Sequence, residues 1–408
     1  MGCSERTTVG VHHRLLLIFG LVGIMGFAMT LLYYSLCLCW LIPIAIVPVS
    51  FYATLVAGVL FAMVWRDSGS REYGVGGFME TRITIIGLGC VGSSIGLALR
   101  KQEPSLEVMG HDIDPAVARK AAQMGAVSKT HWNLPTACER AAMVILALPL
   151  PAVRETLEVL GPHLEEGCVV TDTATLKVPV LEWARKSLPA HVRFVTGLPI
   201  PGPKVSLTGP LAGTDAARAD LFKDSFYCVT PAADTDPDAV TALLGLIQAV
   251  GARPLFMDPE ECDGLQAGAV GLPTFVAVAL LRALVGTPGW ADMRKLVGYD
   301  FASLTGPVVA DAAVWRMEAL LNRENLLRRL DMFMEEVGRI RQWLLESDEQ
   351  ALEGAYAQAA SGRARWLQER ASGMHEEAGE PIQVPSMGEQ MAQVFFGGLF
   401  RRRPPRKE

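Results

Sequence analysis

The chain has 408 residues, half of them apolar and 20% charged, with a formal net charge of −6. That length leaves room for two or three domains, and the acidic balance excludes nucleic acid as a partner for the whole molecule. The eight cysteines (Cys3, Cys37, Cys39, Cys90, Cys138, Cys168, Cys228 and Cys262) show neither CxxC pairs nor metal-ligand spacing. They read as reduced intracellular thiols, and no metal is expected.

After a short N-terminus, residues 1–14, no charged residue occurs from Leu15 to Trp65. A bilayer core takes about 20 helical residues to cross, so the stretch 15–65 is expected to form a transmembrane helical hairpin, with spans near Leu15–Leu36 and Ile44–Trp65. Pro43 and Pro48 fall near the start of the second span, where a missing donor is best tolerated. Tyr33, Tyr34, Trp40 and Trp65 sit where interfacial aromatics belong. Arg14 and Arg66 flank the pair, which puts both ends, and the domains that follow, on the cytoplasmic side. A cleaved signal peptide fits poorly because the apolar run is too long. The start MGCSERT has Arg6 where a myristoylation signal wants Ser or Thr. A start at Met79, just before the first soluble strand, is the competing reading and would make the protein cytoplasmic. Residues 66–80 read as a linker.

The pattern changes at Thr81. RITIIGLGCVGSSIGLALR is a short β-branched strand, then Gly87-x-Gly89-x-x-Gly92, then a helix with apolar periodicity. Such glycines allow a tight turn, close approach of backbone to a pyrophosphate, and close packing of helix on strand. The helix N-terminus adds N–H groups and the positive end of its dipole. Gly87, Leu88, Gly89, Cys90, Val91 and Gly92 are therefore the candidate cofactor loop. A second strand, LEVMGHD, ends in Asp112, twenty residues after Gly92. A carboxylate there accepts from ribose hydroxyls and repels a 2′-phosphate, which favours NAD, with NADP left open by the neighbouring His111. AMVILALP (Ala142–Pro149) reads as a buried parallel strand whose end, Leu148 and Pro149, joins the cofactor set. CVVTDTATLK (Cys168–Lys177) reads as the next strand. RFVTGLP, SFYCVTP and RPLFMDP look like later strands closed by proline. Residues 81–258 are thus expected to be a doubly wound, Rossmann-type α/β dinucleotide-binding domain.

Beyond Asp258 the strand signals stop. VGLPTFVAVALLRAL and the long run from Val308 to Ser347 carry apolar residues at helical spacing with Arg and Glu between them. Residues 259–370 are expected to be an all-helical substrate and dimerisation domain, its stripes broad enough to call for a homodimer. Residues 371–408 read as a flexible basic tail. Five of the last eight residues are Arg or Lys, worth up to ~5 kcal/mol of attraction to an anionic leaflet at low salt.

From Thr81 to about Arg370 the chain resembles the prephenate/arogenate dehydrogenase family. The resemblance is carried by IIGLGCVGSSIGLAL, ILALPLPAV, VVTDTATLK, LFKDSFYCVTP, MDPEECD, GLPTF and NRENLL. It implies a dinucleotide domain, a helical dimerisation domain like that of 6-phosphogluconate dehydrogenase, and a substrate cleft between them. The activity implied is oxidative decarboxylation of a cyclohexadienyl substrate toward tyrosine. Gly197, Leu198, Pro199 and Thr274 fall at the family's substrate positions. Leu198 stands where the family usually has its catalytic histidine. Cys262 stands where a histidine commonly precedes the aspartate, and VGLPT lacks both histidines of the corresponding family run. DFASLTG lacks the family's substrate arginine. Thr175 keeps a hydroxyl at the family's serine position.

The seven histidines of the chain include none between Arg193 and Met374. A positioned general base contributes about 10²–10⁴-fold in rate, so either the substrate or the rate is expected to differ from the family's. Thr175 and Asp263 are the candidate catalytic residues, with Lys204 and Glu261 as weaker proton acceptors. A relative that binds NAD(H) without turnover, serving as a membrane sensor or scaffold, is the alternative.

Overall fold

The chain divides into two units, Met1–Phe78 and Met79–Glu408. A computed structural model describes residues 82–205, 213–308 and 311–372, all in the second unit. The expected transmembrane hairpin, the linker and the basic tail lie outside the described residues.

Eight strands form one sheet in the order β3-β2-β1-β4-β5-β6-β7-β8. They are β1 (Arg82–Ile86), β2 (Glu107–His111), β3 (Lys129–Thr130), β4 (Ala141–Leu146), β5 (Val169–Asp172), β6 (Arg193–Pro199), β7 (Phe226–Val229) and β8 (Arg253–Phe256). The first six run parallel, so the order reverses direction between β1 and β4. That is the topological switch at which open α/β sheets bind their ligands. The longer helices of this half are α1 (Cys90–Gln102), α2 (Pro115–Gln123), α3 (Leu150–Leu160), α4 (Val178–Ser187) and α5 (Pro237–Ala249), with a five-residue helix at Leu134–Cys138 between β3 and β4.

Side chains of a strand alternate between the two faces of its sheet, and the unbroken apolar strands bury both. Met143 and Ile145 of β4 join Ile83, Ile85, Ile95 and Leu99 on one side. Val144 and Leu146 join Ile86, Val153, Leu157 and Val180 on the other. Two cores of this kind hold the carboxyl edge of the sheet rigid, and the site lies on that edge.

Three local expectations change. The run Cys168–Lys177 is strand only to Asp172, because the Asp172 carboxylate accepts from the Ala174 N–H at 2.8 Å and turns the chain. Strand β7 runs antiparallel to β6. Among the described residues the β6–β7 link holds a 3₁₀ turn, Thr214–Ala216, and no crossover helix of the kind that returns a parallel strand. The two-residue β3 was not anticipated; its two exposed side chains give no apolar signal.

The second half is helical, with α6 (Pro259–Gln266), a π turn at Ala267–Gly271, α7 (Leu272–Val285), α8 (Ala312–Leu321), α9 (Arg323–Glu346) and α10 (Glu349–Ala371). The helical run read across 308–347 divides at Asn322, whose side-chain amide donates to the Asp263 carbonyl at 2.8 Å. From Pro259 to Val285 the helix is continuous for 27 residues, long and apolar enough to cross a membrane, with few of its side chains buried. Exposed apolar side chains continue along α9, among them Leu327, Met332, Met334 and Leu344.

Candidate active site

Strand β1 delivers the chain to Gly87 at φ +89°, a conformation that only glycine adopts without strain. A Cβ at Gly87 would overlap the Ala147 carbonyl at the end of β4, and one at Gly92 would overlap the Gly87 carbonyl. These two glycines are therefore required by the fold. Gly89 differs, since a Cβ there meets nothing within 4 Å. The space above it is what a bound pyrophosphate needs. Helix α1 begins at Cys90 with no side-chain cap, so the first-turn N–H groups of Cys90, Val91 and Gly92 are left to an anion.

Leu88 ties the loop down. Its carbonyl accepts from Ser93 Oγ at 2.8 Å and from Thr214 Oγ1 at 2.9 Å. Its N–H donates to Asp112 Oδ2 at 2.8 Å, while Asp112 Oδ1 accepts from the Asp114 N–H at 2.9 Å. Asp112 thus stands at the end of β2 with its carboxylate fixed beside the glycine loop, the place for a ribose hydroxyl. Leu148 closes the other side, its side chain against Gly87, and Pro149 opens α3. The residues present fit a dinucleotide.

Next along the carboxyl edge, the loop after β5 carries a buried ion pair. Lys177 Nζ donates to Asp172 Oδ1 at 2.8 Å and to the Gly197 carbonyl at 2.7 Å, and neither charged side chain is exposed. The pair clamps the ends of β5 and β6. Asp263 reaches the same loop from the helical half. Its carboxylate accepts from the Lys177 N–H at 2.6 Å and the Val178 N–H at 3.1 Å, so it caps the start of α4. Burial raises its pKa, and those two backbone hydrogen bonds pull the other way. Buried and holding the two N–H groups that open α4, Asp263 is placed as a structural cap, out of a substrate's reach.

Thr175 lies in this loop, half-buried, and its hydroxyl donates to Glu318 Oε1 at 2.8 Å across 143 residues of sequence. Glu318 comes from α8 and joins the helical half to the carboxyl edge of the sheet. Burial raises its pKa from the usual carboxylate value, partly offset by the Thr175 hydroxyl. The sequence reading did not single out Glu318, since a Glu on an amphipathic helix looks like one more solvated charge.

The remaining sites are dispersed. Gly197, Leu198 and Pro199 are buried in β6, paired with β7. Leu198 forms a small apolar cluster with Cys228 and Cys262. Thr274 is half-buried and its hydroxyl donates to the Val270 carbonyl of its own helix at 2.9 Å. Lys204 is exposed and pairs with Asp224 at 3.6 Å, and Glu261 is exposed on α6. Among the described residues no group of three or more potential metal ligands comes together.

Two family models match. One, described as the nucleotide-binding domain of prephenate dehydrogenase, covers residues 95–255; the other, its dimerization domain, covers 258–358. The prephenate dehydrogenase of Bacillus subtilis is 30% identical over 276 residues, which span 67% of this chain and 73% of that protein. The chain belongs to the prephenate dehydrogenase family. It is an NAD-dependent dehydrogenase of that family, with a nucleotide-binding half and a dimerisation half. The fold is shared with the solved prephenate dehydrogenase of Aquifex aeolicus in complex with hydroxyphenyl propionate and NAD+, at 23% identity and a TM-score of 0.63. That likeness covers 72% of this chain and 99% of the other. It is shared too with Synechocystis arogenate dehydrogenase, at 24% identity and a TM-score of 0.56, over 70% of this chain and all of that one.

Proposed function

We propose that this protein carries out the oxidative decarboxylation of prephenate or arogenate with NAD+. The observation that carries this reading is the cradle at Gly87–Gly92, open above Gly89 and flanked by the fixed carboxylate of Asp112. Membership of the family supplies the substrate class, and the solved neighbour with NAD+ and hydroxyphenyl propionate supports both ligands. When bound, NAD+ would supply the hydride acceptor for the ring carbon bearing the hydroxyl. The first turn of α1 would hold the pyrophosphate, Asp112 would orient the adenosine ribose, and Leu148 and Pro149 would line the path toward the nicotinamide. The loop Thr173–Lys177 faces the substrate and is kept in place by Asp172, Lys177 and Asp263. Purified protein given NAD+ and either substrate is expected to produce NADH, followed by absorbance. No NADH from either substrate, with cofactor binding intact, sinks the reading.

One observation favours a second function, an NAD(H)-binding sensor without turnover. Leu198 and Cys262, at positions where the family's histidines are expected, pack together with Cys228 in an apolar cluster that has no proton acceptor. The same assay decides between the two. We also propose that the enzyme works as a homodimer through its helical half, held at the cytoplasmic face of a membrane by residues 15–65, whose 51 positions carry no charge.

A further inference from the structure

We propose that Glu318, acting through Thr175, is the proton acceptor of this site. The inference rests on the dehydrogenase reading above and deepens it, by naming a residue that stands in for the histidine expected at position 198. The geometry is already assembled: Thr175 stands in the loop beyond the carboxyl end of β5, and its Oγ1 donates to Glu318 Oε1 at 2.8 Å. A hydroxyl that gives its proton to a carboxylate presents its own lone pairs outward and can accept another proton. Among the described residues the other candidates are occupied or misplaced. Asp263 is 5% exposed and holds two backbone N–H groups; Asp172 pairs with Lys177 through one oxygen, and its unpartnered second oxygen is fully buried, out of a substrate's reach; Lys204 is paired on the surface.

The step balances. The substrate O–H bond breaks as its proton passes to Thr175 Oγ, and the original Thr175 proton passes along the existing hydrogen bond to Glu318. The electron pair left on the substrate oxygen forms the carbonyl as the hydride leaves the same carbon. When the ring carboxylate departs as CO₂, its bonding pair enters the ring and the ring oxygen takes the proton back by the reverse route. Glu318 ends as the carboxylate that it was, so it lends a site for the proton and consumes nothing. A carboxylate is a weak base in water, and partial burial against α3 and the β5 loop strengthens this one.

The charged groups around Glu318 do not offer a rival explanation. Arg154 and Glu158 on α3 pair with each other in solvent. Arg316 on its own helix and Arg323 and Glu324 at the start of α9 are exposed. Asp172, Lys177 and Asp263 are engaged as described.

The test compares wild type, Glu318→Gln, Thr175→Val and Thr175→Ser in the full-length protein. Glutamine keeps an oxygen for the Thr175 hydroxyl but cannot hold the proton. Glu318→Gln is expected to lose about 10²–10⁴-fold in kcat, with NAD+ affinity measured by calorimetry unchanged. Its thermal midpoint should not fall, because a half-buried carboxylate has been replaced by a neutral group of the same shape. In wild type, kcat/KM should drop toward acid pH through a value above that of an ordinary glutamate, and this limb should vanish in Glu318→Gln. Thr175→Val should lose activity and Thr175→Ser recover most of it. A wild type that turns over while Glu318→Gln keeps its rate and its acid limb overturns this proposal alone. A wild type inactive on both substrates overturns the functional reading and this proposal together.

Discussion

Single residues divide this site into those that the fold needs and those that only a ligand needs. Gly87 and Gly92 belong to the first group, since any side chain there meets a backbone carbonyl. Gly89 belongs to the second, with open space where its Cβ would stand and an ordinary φ of −68°. Gly89→Val is therefore expected to fold with an unchanged thermal midpoint yet bind NAD+ at least about tenfold more weakly, some 1.4 kcal/mol. Calorimetric titration beside a melting curve checks this, and tight binding by the variant would place the pyrophosphate elsewhere. The glycine spacing and Asp112 were legible in the sequence because main-chain geometry limits which residue each position tolerates. Glu318 was not legible, because its meaning comes from a hydroxyl 143 positions away.

Elements, too, were legible to different depths. The apolar strands declared themselves because a parallel sheet buries both faces; β1 and β6 fall where the apolar runs place them, while β4 stops at Leu146, short of the Pro149 expected. Their ends were harder to read. The strand expected to reach Lys177 stops at Asp172, and the helical run read across 308–347 divides at Asn322. In each case a side-chain hydrogen bond ends the element, Asp172 to the Ala174 N–H and Asn322 to the Asp263 carbonyl. Asp263 links these events, capping α4 from a helix in the other half. Asp263→Ala leaves two backbone N–H groups without their acceptor at a site that is 5% exposed. A loss of about 1–3 kcal/mol is expected, measurable by denaturant unfolding. Activity should fall through a misplaced Thr175 loop, so the residual activity of folded protein should keep the wild-type pH profile. A changed profile would return Asp263 to the role of proton acceptor.

At the scale of the whole molecule, the sheet supplies a rigid edge and the helical half supplies residues that reach over it. The helices from Pro259 to Glu346 leave apolar side chains uncovered in one subunit, as a domain matched to a dimerization model should. Exposed apolar surface of that extent gains most by pairing with a second copy. The membrane tether proposed for residues 15–65 makes a separate prediction. Full-length protein is expected in the membrane fraction and, once solubilised, to sediment as a dimer. Deletion of residues 1–78 should move it to the supernatant while leaving NADH production intact. Equal partition of the two forms would remove the tether.

The sequence by itself determined the class of fold, the glycine turn between β1 and α1, and the helical second half. Each of these follows from local rules, namely which residues tolerate a turn, bury a strand or stripe a helix. The tertiary structure alone decided that Asp263 is a cap, that Leu198 and Cys262 share an apolar cluster, and that Thr175 meets Glu318. Those outcomes depend on which side chains from distant segments arrive at the same few ångströms with donors and acceptors unspent, and no spacing along the chain encodes that arrival.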